Sequence, residues 1–374
     1  MIEGLQASDK YQIERLLIGI DKKLRKIYNL YGLGYYTLIP KIIKSIKKHD
    51  PQIILVQTGL SLPTIIAGNL TKVPVINMIR DPVLICPKNV DIFNYGIACK
   101  GLENKKICID CINRWRTLRE IIGNKPPKWR FTLSSMLTTL GYKARYYVAR
   151  FNLYLFNHAT INIVACNLMK SILSSNLNPN KIKVMNITPI MRKDIPKDLK
   201  KENNILFLIP KSDPSPKGLE FVLSLSKRIP ANYKILIVGK ILPKLKTVKY
   251  NTKILNIERV SGRDLDKLYQ TSKIALMPTF ATEPFGRVII ESIVNKTPVI
   301  SSPNCGANEF FQNKDYVKIE PLTLAKWEKT IKEMIENTPI ISDSDIKQTL
   351  NQFSIEKCIS DIVLLINILK IKGG

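Results

Sequence analysis

The feature that most constrains this chain is a rhythm. Short, continuous runs of Ile, Leu and Val alternate with stretches whose apolar residues recur at helical spacing. After residue 203 the runs are "NILFLIP", "YKILIVG", "KIALMPT" and "TPVISS", and the stretches between them include "KGLEFVLSLSKRI" and "SGRDLDKLYQTS". Strand, helix and strand with short connections make a βαβ unit, and hence a parallel sheet. The first half carries the same rhythm in "PQIILVQTG", "SLPTIIAGNLTK" and "VPVINMIRD". A basic helical region at 12–48 precedes these, and a loop-rich cysteine region at 82–113 follows. A long basic, aromatic helical stretch at 131–157 comes next, then the strands "ATINIVAC" and "KIKVMNIT" around a helix.

The stretch "RKDIPKDLKKENN" is charged, carries a proline and lacks periodicity, so the domain boundary falls at about 190–203. A chain of 374 residues exceeds one ordinary core. The expected architecture is α/β, with two Rossmann-like doubly wound domains facing a central cleft. The domains are 1–195 and 203–340, and 341–374 forms C-terminal helices that pack back across the cleft. In such sheets ligands sit at the carboxyl ends of the strands.

Lys and Arg number 58 against 30 Asp and Glu, a net charge of +28. A field of that size draws polyanions such as nucleotide diphosphates, nucleic acid or anionic lipid headgroups, and it equally suits a solvated basic surface. No apolar core segment opens the chain, and the longest apolar stretches fall short of the ~20 residues of a spanning helix. A cytoplasmic protein is expected, with any membrane contact peripheral. Seven cysteines, without a secretion signal, fit a reducing compartment.

"TEPFGRVIIESIVNKTPVISSP", at 282–303, poses the chemical question. Glu283 and Glu291 stand eight residues apart, yet Pro284 forbids a helix already running through it and suits a first turn. Glu283 is therefore expected on the leading loop. Glu291 is expected inside the helix, with Ile289, Ile290, Ile293 and Val294 buried. The helix N-terminus at Phe285, Gly286 and Arg287 offers backbone N–H groups to an anion, with a carboxylate at each edge to accept hydroxyl hydrogen bonds.

Across 203–310 the order of elements resembles the retaining GT-B glycosyltransferases of family 4. The E-x7-E element, the strand ending "MPT" before it and "PVISSPNCGANEF" after it look like that family's. So do "ILFLIPKSDPSPKGLEFVLSLS" and "YKILIVGK", which ends its strand at Gly239. In the first half "VPVINMIRDPVLICP" is similar to the family's acceptor-domain strand, with Arg80 where a histidine is usual and Asp81 beside it. The resemblance implies transfer of a sugar, with retention, from a nucleotide-diphosphate sugar to a carbohydrate or lipid-linked acceptor. It implies no required cofactor. By resemblance Lys211 and Lys217 clamp the diphosphate, whose growing negative charge needs preorganised cations and N–H donors. Glu283 would hold the donor sugar's hydroxyls and Glu291 the ribose hydroxyls; Glu309 matches the family's later glutamate. The sequence departs from the family at Ile241, at Lys296 in place of a helix-ending glycine, and at the first-strand glycine loop, which is hard to find before residue 12. A basic nucleic-acid- or polyanion-binding protein on an inactive GT-B scaffold, or a GT-B epimerase, is the alternative. No helix-turn-helix, zinc-finger or stacking motif supports a specific nucleic acid partner.

Cys86, Cys99, Cys108 and Cys111 fall in one loop-rich region. A tetrahedral thiolate site wants two close pairs and this spacing supplies one, so a structural zinc stands beside four small, partly buried thiols as a reading. Cys166, Cys305 and Cys358 read as core or cleft-lining residues. "DLD" at 264–266 sits on an amphipathic helix and reads as structural. In "LGYKARYYVARFNLYLFNHA", Tyr142, Tyr146, Tyr147, Phe151 and Tyr154 interleave with Lys143, Arg145 and Arg150. That pattern suits an anionic membrane surface, and equally an aromatic core.

Overall fold

The structure is a computed structural model and describes residues 33–80, 85–86, 102, 105–111, 133–190, 194–196, 198–211, 214–242 and 253–373. Two compact units divide the chain. Met1–Asn94, Cys99–Ile187 and Val363–Gly374 make the first, and Tyr95–Ala98 and Thr188–Ile362 the second. Asp81, Cys99, Tyr142, Lys143 and Arg145, and the region before residue 12, lie outside the residues or side chains described.

In the first unit the apolar runs become β1 (Ile54–Gln57), β2 (Val75–Ile79), β3 (Ile161–Val164) and β4 (Ile182–Val184). They pair in that order, all parallel. The helices are α1 (Ile39–His49), α2 (Ser61–Thr71), α3 (Leu133–Phe156) and α4 (Asn167–Ser174). In α1 the isoleucines at helical spacing bury Ile42 and Ile46, while Lys41, Lys44, Lys47 and Lys48 stay exposed. Helix α2 has few polar side chains and is buried along most of its length. Gly68 lets it approach the sheet, because a Cβ there would lie 2.3 Å from Val75 Cγ2. Asn77 and Asn162 face one another across β2 and β3. Asn77 Nδ2 donates to Asn162 Oδ1 at 2.8 Å inside the core, and a buried amide pair of this kind pins strand register.

In the second unit six strands run parallel: β5 (Glu202–Leu208), β6 (Lys234–Gly239), β7 (Lys253–Glu258), β8 (Ser272–Met277), β9 (Val299–Ser301) and β10 (Val317–Ile319). Their order is β10-β9-β8-β5-β6-β7. The chain works outward from β5 to β7, then returns to the other side of β5 with β8. This is the doubly wound order, and the reversal between β5 and β8 is its switch point. The helices are α5 (Leu219–Leu225), α6 (Arg263–Thr271), α7 (Arg287–Val294), α8 (Leu324–Glu336), α9 (Asp343–Gln352) and the start of α10 (Ile355–Gly373), whose residues from Val363 onward belong to the first unit. Trp327 of α8 is buried edge-on against Phe221 of α5, its Nε1 donating to the Pro321 carbonyl at 3.0 Å.

β7 and β10 carry no strand signal in the sequence. Both are edge strands; β7 is half-buried and carries Asn256, and β10 is three residues with a lysine at its centre. Sheet edges favour short, polar strands, which erases the apolar signal that marks central ones. Lys296 keeps the left-handed geometry of the glycine it stands in for, at φ 58°. Its ammonium pairs with Asp198 at 2.7 Å and Asp343 at 2.9 Å, two contacts that help offset the backbone cost of a side chain there.

Gly239 ends β6 at φ 142°, and a Cβ would stand 2.0 Å from the Ile209 carbonyl oxygen. Gly239→Ala should therefore cost about 2–4 kcal/mol of stability, read as a lowered Tm in thermal unfolding.

Candidate functional site

At the switch point two chains leave the sheet side by side. From β5 the backbone continues through Ile209 and Pro210, and from β8 through Pro278 and Thr279. Between them opens a cavity of about 250 Å³, lined by Phe207–Pro210, by Leu276, Met277 and Thr279, and by Lys217, Glu283, Arg287 and Val288.

Lys217 reaches this cavity from a single helical turn, Ser215–Lys217, closed by Gly218 at φ 88°. A Cβ on Gly218 would lie 2.2 Å from the Pro278 carbonyl oxygen, so the Lys-Gly pair is set by close backbone approach as well as by the dihedral. The carbonyl of Pro216 ties the same turn to the loop after β8. It accepts from the Phe280 N–H at 2.9 Å, the Ala281 N–H at 3.2 Å and the Thr279 hydroxyl at 3.2 Å.

Glu283 is held by its backbone. Its N–H donates to the Asn304 carbonyl at 2.8 Å, and its own carbonyl accepts from Gly306 at 3.0 Å, making a parallel bridge with Cys305. The side chain ion-pairs with Lys217 through Oε2. Cys305 is buried beneath this bridge, and burial, reinforced by the Glu283 charge, pushes its thiol up to about 12.

Helix α7 starts at Arg287, later than its sequence suggests. Pro284 lies in the loop rather than the first turn, and Gly286 is the N-cap at φ 89°. The displacement has a physical cause. Phe285 is buried among Phe310 and Phe353, with ring centroids 6.3 and 5.5 Å away, and the chain must reverse out of that cluster before the helix can begin. The separation of the two glutamates holds: Glu283 is on the loop, and Glu291 is on a helix whose Ile289, Ile290, Ile293 and Val294 are buried.

Glu291 has both oxygens engaged. Arg287 donates to Oε1 at 2.9 Å and Tyr269 of α6 to Oε2 at 3.3 Å. Burial raises the Glu291 carboxyl above its ordinary value, although Arg287 pulls the other way. Burial also lifts the Tyr269 phenol, with the Glu291 charge adding to it, so Tyr269 is a fixed donor. Asp266 accepts from Asn295 Nδ2 at 3.1 Å, which in turn donates to the Glu291 carbonyl at 2.9 Å. The "DLD" aspartate thus braces α7.

Lys217, Glu283 and Arg287 come together at the cavity, Gly286 caps the helix there, and Glu291 is one turn further on. Lys211 is exposed beyond Pro210, outside the cavity lining, and Gly239 is buried at the end of β6. Glu309 sits in the turn Gly306–Phe310. In the first unit Arg80 is exposed immediately after β2. Cys86 and Cys108 are half-buried against the core and Cys111 is buried. Among the described residues no group of three His, Cys, Asp or Glu side chains is placed to hold a metal. Tyr269 and the Pro216 carbonyl carry no site signal in the sequence. Tyr269 reads only as an apolar position on an amphipathic helix, and a backbone acceptor leaves no residue signal.

The family model for Glycosyl transferases group 1 matches residues 191–352. A probable sucrose-phosphate synthase of Thermosipho melanesiensis is 26% identical over 162 residues, which is 40% of this chain and 38% of the relative. The match therefore spans well under half of that relative's length. Among solved structures, HepE of Anabaena in complex with UDP-glucose superposes with a TM-score of 0.56 at 16% identity, covering 93% of this chain and 90% of HepE. Sucrose-phosphate synthase of Thermosynechococcus elongatus gives 0.57 at 14% identity, covering 96% and 82%. At these identities the likeness is one of fold: the chain has the GT-B architecture, each of its units an α/β parallel sheet.

A carboxyl raised on folding costs the fold stability as pH climbs from the ordinary glutamate range through its folded value, above which the whole penalty stands, because the unfolded chain releases that proton more readily. Glu291→Gln should raise Tm at neutral pH, and the gain should shrink as pH falls to the ordinary glutamate range. Thermal unfolding across pH 4–8 measures it.

Proposed function

We propose, from the premise that residues 191–352 form a Glycosyl transferases group 1 domain, that the protein moves a hexose from a nucleotide-diphosphate sugar to a saccharide or lipid-linked acceptor with retention. The observation that carries this reading is the convergence of Lys217, Glu283 and Arg287 on one cavity at the strand-order reversal, with Glu291 one helical turn beyond.

The leaving diphosphate gathers negative charge as the bond from its oxygen to the anomeric carbon breaks. Lys217 and the backbone N–H groups at the start of α7 supply positive charge there. An ammonium has three donors, so Lys217 can hold the Glu283 carboxylate and a phosphate oxygen together. Glu283 then accepts from hydroxyls of the sugar, and Glu291, oriented by Arg287 and Tyr269, from those of the ribose. The acceptor hydroxyl attacks on the face the leaving group vacates. Its oxygen bonds the anomeric carbon, and its proton passes to the departing phosphate oxygen. Such a step needs no enzymic nucleophile. In this reading the cavity of about 250 Å³ takes the sugar and diphosphate of the donor. The complex of HepE with UDP-glucose makes a uridine donor the first to try.

A thermal-shift panel of UDP-, GDP- and ADP-sugars should give one class that raises Tm, and the wild type should turn that donor over. Lys217→Ala should cut kcat by roughly 10²–10³-fold, and Glu291→Ala should abolish the donor-induced shift. Tyr269→Phe should raise the donor KM several-fold with kcat nearly unchanged, the mark of a positioning residue. A wild type that neither binds nor hydrolyses any nucleotide sugar would refute the reading.

A further inference from the structure

Helix α3 carries apolar side chains on two opposite sides. Tyr146, Ala149, Leu153 and Phe156 are buried in the core of the first unit. Tyr147, Phe151 and Tyr154 are 55%, 49% and 58% exposed. With the exposed His158 just past the helix end, they recur at intervals of four, three and four residues. That spacing makes a single stripe about 16 Å long on the side turned from the core.

The stripe is ordered and basic. The Phe151 and Tyr154 rings stack at 6.3 Å and 20°, and Tyr154 lies 4.5 Å from the His158 ring. Lys105 sits 4.9 Å over the Tyr147 ring and donates to its hydroxyl at 2.6 Å. Arg150 is exposed along the flank. No Asp or Glu occurs from Leu133 to His158, in a chain of net charge +28.

Each ring keeps about half of its surface in water, Phe151 also meeting the Tyr36 ring at 6.4 Å, and covering the exposed halves would be favourable. Among the described residues no helix is long and apolar enough to cross a membrane. We infer that this stripe is a docking face for an anionic lipid surface. Tyr and Phe rings edged by Lys and Arg partition to the boundary between headgroups and acyl chains, and the acid-free helix meets negative headgroups without repulsion. A row of rings along a convex helix matches a plane, whereas a single sugar is recognised in a concavity. The inference stands independently of the donor chemistry of the second unit.

The test is flotation of the full chain with vesicles at moderate salt. The wild type should float with phosphatidylcholine–phosphatidylglycerol vesicles and remain in the soluble fraction with phosphatidylcholine alone. The triple variant Tyr147→Ser, Phe151→Ser, Tyr154→Ser should lose on the order of tenfold in partitioning. Ile340→Ser removes a side chain 91% exposed on the other unit and should float as the wild type does. An unchanged Tm establishes that the triple variant is folded. If it is not, Phe151→Ser alone should lose about threefold. A wild type found only in the soluble fraction, equal flotation with both vesicle types, or a folded stripe variant that floats undiminished would each overturn the inference.

Discussion

Strand order reverses beside β5, and the site of the second unit rests on that constraint. Parallel neighbours on either side of a reversal send their connections to opposite faces of the sheet, so the chain ends above β5 and β8 diverge. Divergent loops leave a hole that must be lined without wasting backbone hydrogen bonds. Here the Pro216 carbonyl takes three donors from the opposite loop, and the Glu283 backbone pairs with the segment after β9. Lys217 and Glu283 are thereby fixed by main-chain geometry before their side chains meet. Gly218 is required because those main chains lie too close for a Cβ.

The same arrangement sets two charge environments within a few turns. Glu283 keeps a cation at the cavity, while Glu291 is half-buried against Arg287 and a buried tyrosine. Burial raises the Glu291 carboxyl despite its guanidinium partner. An uncharged side chain of similar shape would avoid that desolvation, so the carboxylate costs the fold some stability at this position.

Much of this was legible in the chain itself. Central strands announce themselves because both faces are covered, so "NILFLIP" and "KIALMPT" carry no polar interruptions. The assignment of Glu283 to a loop and Glu291 to a helix followed from Pro284, even though the helix begins three residues after the proline. The burial of Phe285 that delays it depends on Phe310 and Phe353, and contacts at such separations leave no local pattern. Tyr269 is hidden for a related reason. A tyrosine on the apolar side of an amphipathic helix is indistinguishable from packing until the partner of its hydroxyl is known.

Helix α3 shows the converse ambiguity. Interleaved aromatic and basic residues admit a core helix and an interfacial one, and composition alone cannot choose between them. The structure buries one side of the helix in the core and leaves the other exposed. Tyr146 and Tyr147 are adjacent in sequence and about 100° apart around the axis, so one is buried and the other exposed. A helix with apolar residues on a single side needs one packing partner, whereas this one also keeps Tyr147, Phe151 and Tyr154 partly in water on its other side. Lys105 at Tyr147 and the exposed Arg150 add positive charge to that side, which favours acidic over basic surfaces.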